Sequence, residues 1–309
     1  MGRFEEPVNT ALQSLELSHA SARVVVLPQL GGKIARLSLG GRQWLWSNAR
    51  LPFCLPEPGS SYIETADSGG FDECFPTVGP CTLPTGEHLP DHGELWSQCC
   101  DVVDVSERGM MCIWQTSVVG ARLSRKLWID DDGALELHYR LEHRFGAAFP
   151  FVWSAHPLLP LSEDTRIEVP NGTPMRVYSS HGVDVVGRDH VWPFVRLADG
   201  MVDVSRPAAS RASYALKLFL KPAVGMASLH QGGRSLACTF DLHAVPDFAL
   251  WINHRGWTPF VGEQPYDNLA FEPCIGAPDT PSEALADWGG APWLEPRTER
   301  TWKLTFRAR

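Results

Sequence analysis

Basic residues are scarce in this chain: 27 Lys and Arg stand against 36 Asp and Glu, a net charge of −9 over 309 residues. Phosphate backbones are bound through clustered Lys and Arg, so no nucleic-acid partner is expected. A small anionic ligand is disfavoured less, because a cationic pocket can sit on an acidic protein. No apolar run approaches the ~20 residues that span a bilayer, so no membrane partner is expected either. The opening MGRFEEPVNTALQSLEL lacks the basic start and apolar stretch of a signal peptide. The eight cysteines include no Cys-x-x-Cys pair and read as buried thiols in a reducing compartment, which predicts a cytoplasmic protein. Dinucleotide and P-loop fingerprints are missing, and Gly31-Gly32 and Gly69-Gly70 read as turns rather than phosphate cradles. No Gly-x-Ser-x-Gly occurs, which argues against a hydrolase of that type.

Helical periodicity is also sparse. Only Pro281–Ala286 predicts a helix, with Thr280 as its N-cap and Pro281 in the first turn. Period-two alternation dominates instead. In Leu135–Leu141 the odd positions are apolar and the even ones polar, which puts one face on a core and the other toward solvent. Arg122–Ile129 joins this run through Asp130-Asp131-Asp132-Gly133, a hairpin turn. Further strand-like runs lie at Arg23–Leu27, Ile34–Leu39, Met111–Val118, Phe149–Trp153, Tyr214–Leu220, Ser235–Phe240, Phe248–Asn253 and Arg300–Phe306. Many strands at short intervals with Gly/Pro punctuation predict an all-β antiparallel sandwich or barrel. The Pro- and Gly-rich stretch from 51 to 90 carries aromatic and acidic residues and reads as a long ordered loop rather than a linker. With no internal repeat either, one domain over 1–309 is expected.

Three places combine chemistry with punctuation. His92 sits in Asp91-His92-Gly93-Glu94, where the glycine allows close approach and the flanking acids can fix the imidazole tautomer. His156 closes the run from Phe149 and is followed by Pro157, which predicts a strand end at a rim. Glu272, between Phe271 and Pro273, is a carboxylate in apolar sequence; it must be paired, as in a structural ion pair, or carry a raised pKa. Two histidines and a carboxylate at strand ends suggest acid/base chemistry on a neutral polar ligand. His88, His92 and Glu94 form a competing metal-ligand cluster, but Leu89-Pro90 breaks the helix that His-x3-His spacing would need. The twelve tryptophans fit a β-rich core, and a few of them can also line a sugar pocket.

The order and spacing of these fragments resemble the aldose 1-epimerase (galactose mutarotase-like) family over most of the chain. Gly31-Gly32-Lys33-Ile34-Ala35-Arg36-Leu37 with Gly40-Gly41-Arg42-Gln43-Trp44-Leu45 is similar to its opening strand pair. Gly69-Gly70-Phe71-Asp72-Glu73-Cys74-Phe75-Pro76 resembles its Gly-Gly…Phe-Pro segment. Asp91-His92-Gly93 and Ala155-His156-Pro157 resemble its His-Gly and His-Pro motifs. Phe271-Glu272-Pro273 with Gly276-Ala277-Pro278-Asp279 resembles the acid-bearing segment, and Leu294-Glu295-Pro296 precedes the closing strand.

The resemblance implies a large antiparallel β-supersandwich. It also implies interconversion of the α and β anomers of a free monosaccharide by ring opening and closure, without metal or organic cofactor. Glu272 would be the base, His156 the acid, and His92 would assist at the ring oxygen. Asp91, Glu73, Trp96 and Trp153 are the expected substrate-binding residues. Trp96 would share the side of His92 and Glu94 if that stretch is extended. The hydroxyl-gripping arginine of such proteins has no clear counterpart; Arg36, Arg42 and Arg50 are candidates. His143 stands where many relatives carry Asn. Other readings are a non-catalytic carbohydrate-binding or sensing protein of the same fold, a mutarotase for a phosphorylated or sulfonated sugar, and a metal-dependent sugar isomerase.

Overall fold

The predicted alternation becomes two large antiparallel sheets in the computed structural model, which describes residues 12–57 and 60–309. Most of the amino-terminal stretch from which the lack of a leader was read lies outside these residues. Among the described residues the larger sheet has 13 strands. Its middle runs Lys33–Leu39, Phe71–Cys74, Trp153–Pro160, Asp267–Ile275, Asp247–His254, Tyr214–Leu220, Pro174–His181 in spatial order. The smaller sheet has eight strands, centred on Arg234–Phe240, Glu299–Ala308, Leu135–His143 and Ala121–Ile129. One cluster of buried apolar side chains, from Leu17 to Phe306, fills the space between the sheets. This is the all-β supersandwich expected from the sequence.

Local chemistry explains the elements. Ala121–Ile129 pairs with Leu135–His143 throughout, and Leu123, Leu127, Leu137 and Leu141 point into the core. Asp130 closes the hairpin by accepting the backbone N–H groups of Asp132 (3.0 Å) and Ala134 (2.8 Å) on Oδ1. Gly133 takes the left-handed φ of 78° that this turn requires. The helix Pro281–Asp287 is capped by Thr280, whose Oγ1 accepts from Glu283 N at 3.2 Å. No helix among the described residues is long and apolar enough to cross a membrane. Of the eight cysteines, all free thiols, five are buried and Cys99 is exposed, so the expectation of buried thiols holds in part.

Alternation fades in the middle of the larger sheet because both faces are covered. Every residue of Tyr214–Leu220 is buried, the lysine at 217 included. Three differences from the sequence reading bear on the site. Phe149–Trp153 is not one strand: Phe149–Pro150 pairs with Trp293–Leu294, and a separate strand begins at Trp153. Pro157 does not end that strand. It stands opposite Phe71, and pairing resumes when Leu158 N donates to Gly70 O at 2.9 Å. His156 and Glu272 therefore lie in mid-strand, on the face of a sheet rather than at a rim. The third difference is the 51–90 stretch, which contains a single π-helical turn, Tyr62–Ala66, and the central strand Phe71–Cys74.

Candidate functional site

Period two decides which side chains meet. The pairing of Trp153–Pro160 with Phe71–Cys74 sets His156 opposite Asp72. On its other side, Ser154 pairs with Cys274 and Leu158 with Ala270, and the same register sets His156 facing Glu272. Asp72, His156 and Glu272 thus form a row across three neighbouring strands, on the sheet face turned away from the core. Loops cover this row and enclose a cavity of about 170 Å³ whose lining includes Asp67, Asp91, His92, His156, Lys217 and Asp279. Aromatic walls from Tyr62, Trp251, Trp257 and Tyr266 complete it.

His92 enters from a tight turn, not a strand. Its own φ is 58°, its N–H donates to Val78 O at 2.7 Å, and Gly93 follows at φ 74°. A Cβ on Gly93 would lie 2.1 Å from Phe75 O, so the close approach its glycine allows is that of another strand's backbone. The Nδ1 of His92 lies 2.9 Å from Asp91 Oδ1. A neutral His92 so paired carries its proton on Nδ1 and presents Nε2 as acceptor. Its ring stacks on Tyr62 (3.8 Å, 15°) and meets His156 edge-on (5.3 Å, 87°).

His156 is buried, and its Nδ1 has no hydrogen-bond partner among the described residues. Burial, then the nearby His92, Lys217 and Lys33, hold its pKa well below the usual histidine value. The ring is neutral at physiological pH, able to donate or accept a hydrogen bond but not stored as an imidazolium.

Glu272 is fully buried and lies behind Lys217, one side chain removed from the cavity. Its Oε2 accepts from the Lys217 ammonium and, at 3.4 Å, from Ser154 Oγ; its Oε1 has no partner among the described residues. Lys217 reaches it across the intervening strand, where Ala249 stands opposite Glu272 and leaves room. Asp279 Oδ1 sits 3.3 Å from the same ammonium. Burial raises the Glu272 pKa, Lys217 pulls it down, and the balance is upward. For Lys217 burial opposes the charge, but Asp279 and Glu272 outweigh it and hold the ammonium above the ordinary lysine value. Paired and raised are therefore both true of Glu272.

On the opposite wall, Lys33 Nζ donates to Asp72 Oδ2 (2.6 Å) and Gly69 O (3.0 Å). Tyr62 OH donates to the same Asp72 oxygen at 2.6 Å. Burial, then Asp72 and Asp67, push the Tyr62 pKa well up, so it remains a donor. Asp67 lies in this wall at 8% exposure, and its Oδ1 lacks a hydrogen-bond partner among the described residues. Burial pushes its pKa up to about 6 against the pull of Lys33 and His92.

The structure brings His92, Asp91, His156 and Glu272 into one neighbourhood, and separates five residues from it. Glu73 and Trp153, expected to bind substrate, face the core. Glu73 is held by Arg125 (2.8 Å), Tyr139 OH (2.8 Å) and Trp153 Nε1 (3.0 Å), a buried cluster between the sheets. Each is one residue or three from a site residue on its own strand, and an odd offset reverses the face. Trp96 is corrected as well, because Asp91–Trp96 is turned rather than extended. It backs the edge of Tyr62 (5.3 Å, 80°) and donates to Asp91 O at 2.9 Å without lining the cavity. Glu94, expected to help fix the His92 tautomer, instead caps Ser117 and Val118 N–H groups at 2.8 and 3.1 Å. His88 bonds Thr82 (2.8 Å) on an exposed hairpin and, among the described residues, forms no metal-ligating group with His92 and Glu94.

None of the three arginine candidates lines the cavity. Arg36 is exposed, Arg42 binds Gln231, and Arg50 lies over Tyr266 and pairs with Glu263. The cations at the site are Lys33 and Lys217. Lys217 had a sequence signal, a single charge within Tyr-Ala-Leu-Lys-Leu-Phe-Leu. Asp72 did too, by alternation with Glu73. Asp67 and Tyr62 had none, since a loop brings them.

No protein-family profile and no curated protein matches the sequence. Solved structures do match over nearly the whole chain. A Synechocystis sp. PCC 6803 protein superposes with a TM-score of 0.70 at 18% identity, covering 96% of both chains. An Escherichia coli K12 protein described as a candidate aldose 1-epimerase gives 0.68 at 16% identity, covering 97% of this chain and 99% of its own. A galactose mutarotase-like protein from Lactobacillus casei gives 0.64 at 14% identity, covering 96% and 100%. The fold is that of the galactose mutarotase-like proteins.

Proposed function

We propose that the protein is an aldose 1-epimerase, interconverting the α and β anomers of a free aldose. The observation that carries this reading is a convergence at one aromatic-walled cavity: two imidazoles 5.3 Å apart in its lining, and behind Lys217 a buried carboxylate with one unpartnered oxygen. Anomer exchange needs a base for the C1 hydroxyl proton and a donor for the ring oxygen. Glu272 Oε1 is the base, made more basic by burial. Lys217 remains compensated by Asp279 while Glu272 carries the proton. His156 hydrogen-bonds the ring oxygen, and the imidazole pair, with His92 oriented by Asp91, passes it the proton it takes up on leaving C1. The bond between C1 and the ring oxygen breaks, the ring oxygen takes a proton delivered through the two imidazoles as Glu272 takes that of the C1 hydroxyl, the aldehyde rotates, and closure on its other face returns both protons. This acid/base sequence requires no redox or group-transfer partner, in keeping with a site made of carboxylates, imidazoles and ammonium groups.

The test is anomer exchange followed by NMR saturation transfer on a panel of free aldoses with the purified protein. Faster exchange for at least one sugar, lowered about 10²–10⁴-fold in Glu272→Gln, is expected. Saturable binding with no acceleration for any sugar would overturn the reading and leave a carbohydrate-binding or sensing role.

A further inference from the structure

We propose that this cavity selects a sugar bearing a protonated amine, and that Asp67 is the carboxylate that receives it. The inference rests on the reading of the cavity as a sugar site and names the substrate class. Three carboxylates, Asp67, Asp91 and Asp279, line the cavity against one ammonium, Lys217. That ammonium is already shared between Asp279 and the buried Glu272. Asp91 is engaged by His92. Lys33, the other cation on this face, donates to Asp72 and to the carbonyls of Ala66 and Gly69.

Asp67 has no such partner. It is more than nine-tenths buried, no ion pair within 4.0 Å reaches its carboxylate among the described residues, and its Oδ1 accepts no hydrogen bond. Its backbone is nevertheless held firmly, with Asp67 N donating to Tyr62 O (2.8 Å) and Asn48 Nδ2 donating to Asp67 O (2.8 Å). The carboxyl is positioned but unsatisfied. An unpaired carboxylate under cover is unfavourable until a donor arrives. A sugar hydroxyl supplies the hydrogen bond and leaves the charge surplus in place. An ammonium supplies both, through a charge-assisted bond about twice as strong as a neutral one. A phosphate or sulfonate would add negative charge to a lining that already holds three carboxylates.

The test measures binding at equilibrium, by tryptophan fluorescence and calorimetry at pH 6.5, with the full-length protein. The probes are 2-, 3- and 6-amino-deoxy-D-glucose, D-glucose and glucose 6-phosphate. At least one amino sugar is expected to bind about tenfold more tightly than glucose, and glucose 6-phosphate more weakly than glucose. Asp67→Asn, or Asp67→Ser should the first variant not fold, is expected to erase that preference while neutral glucose binding changes less. Amino sugars binding no better than glucose, a preference that survives both variants, or tighter binding of the phosphate would each overturn the proposal. Anomer exchange on the same samples keeps the two readings apart. Exchange without amine preference removes the specificity alone, and amine preference without exchange removes the catalytic reading alone.

Discussion

Lys217 covers one oxygen of Glu272 and leaves the other bare. This relationship makes the carboxylate a structural ion-pair member that keeps one oxygen free for the proton-accepting role proposed for it. The two roles separate experimentally. Glu272→Gln preserves shape but leaves Lys217 with Asp279 as its only carboxylate partner. The expected outcome is a lower melting temperature together with a fall in kcat, per folded molecule, of about 10²–10⁴. Circular dichroism melts and single-sugar kinetics on one preparation check both. A purely structural Glu272 would lower the melting temperature and leave kcat nearly intact.

His156 predicts an acid-side loss of stability. Its folded-state pKa is held down while the unfolded chain keeps a value near ~6.5. Above that pH both states are neutral and nothing is lost. As pH falls below it the unfolded state takes up the proton first, so stability declines toward the folded-state pKa. Urea midpoints from pH 8 to pH 4.5 should fall less steeply for His156→Asn than for the parent. Parallel curves would mean the imidazole is not held neutral.

Asp67 has the opposite sign. Its pKa is pushed up to about 6 by burial, so its share of stability is complete below the unfolded value and is lost as pH rises through 6. Asp67→Asn should therefore be more stable than the parent at pH 7.5, by up to ~3 kcal/mol at ~1.4 kcal/mol per pKa unit. That gain should shrink steadily as pH is lowered toward 4. A variant less stable at pH 7.5 would show that Asp67 has a partner that offsets its burial.

Tryptophan fluorescence can assign the walls. Trp251 and Trp257 line the cavity, whereas Trp96 supports Tyr62 from behind. The emission change on adding a binding sugar should be reduced in Trp251→Phe and Trp257→Phe and persist in Trp96→Phe. Loss of the signal in Trp96→Phe alone would place the ligand elsewhere.

Gly93→Ala should be among the most damaging single substitutions. The new Cβ would lie 2.1 Å from Phe75 O, and φ is 74°. The backbone that sets His92 must move or the fold must yield. Poor soluble expression, or a soluble protein with impaired exchange, is expected. A variant with parental melting temperature and kinetics would contradict the packing described.

Much of this was readable from the sequence, for identifiable physical reasons. Alternation marked the hairpin through Asp130–Gly133 because one face of each strand meets water. It failed around Tyr214–Leu220, where both faces are covered and apolar residues occupy nearly every position. His92, His156 and Glu272 were legible as polar residues in unusual settings, but their depth in the sheet was not, since Pro157 suggested a stop that the pairing does not obey. Glu73 was mistaken for a site residue because an acid in a site-like motif says nothing of its face; the strand's phase does. Tyr62 and Asp67 come from a loop, where no period exists to betray a direction.

Asp72 and Glu73 are adjacent carboxylates serving opposite sides of one short strand, one bound to Lys33 beneath the cavity and the other to Arg125 between the sheets. Their duties are assigned by parity alone. Loss or gain of a single residue between Gly70 and Asp72 would exchange them, aiming the aspartate at Arg125 from too short a stem and thrusting the longer glutamate toward Tyr62. This segment can tolerate changes of letter far more readily than changes of count, and an insertion scan across it should meet a wall that a substitution scan does not.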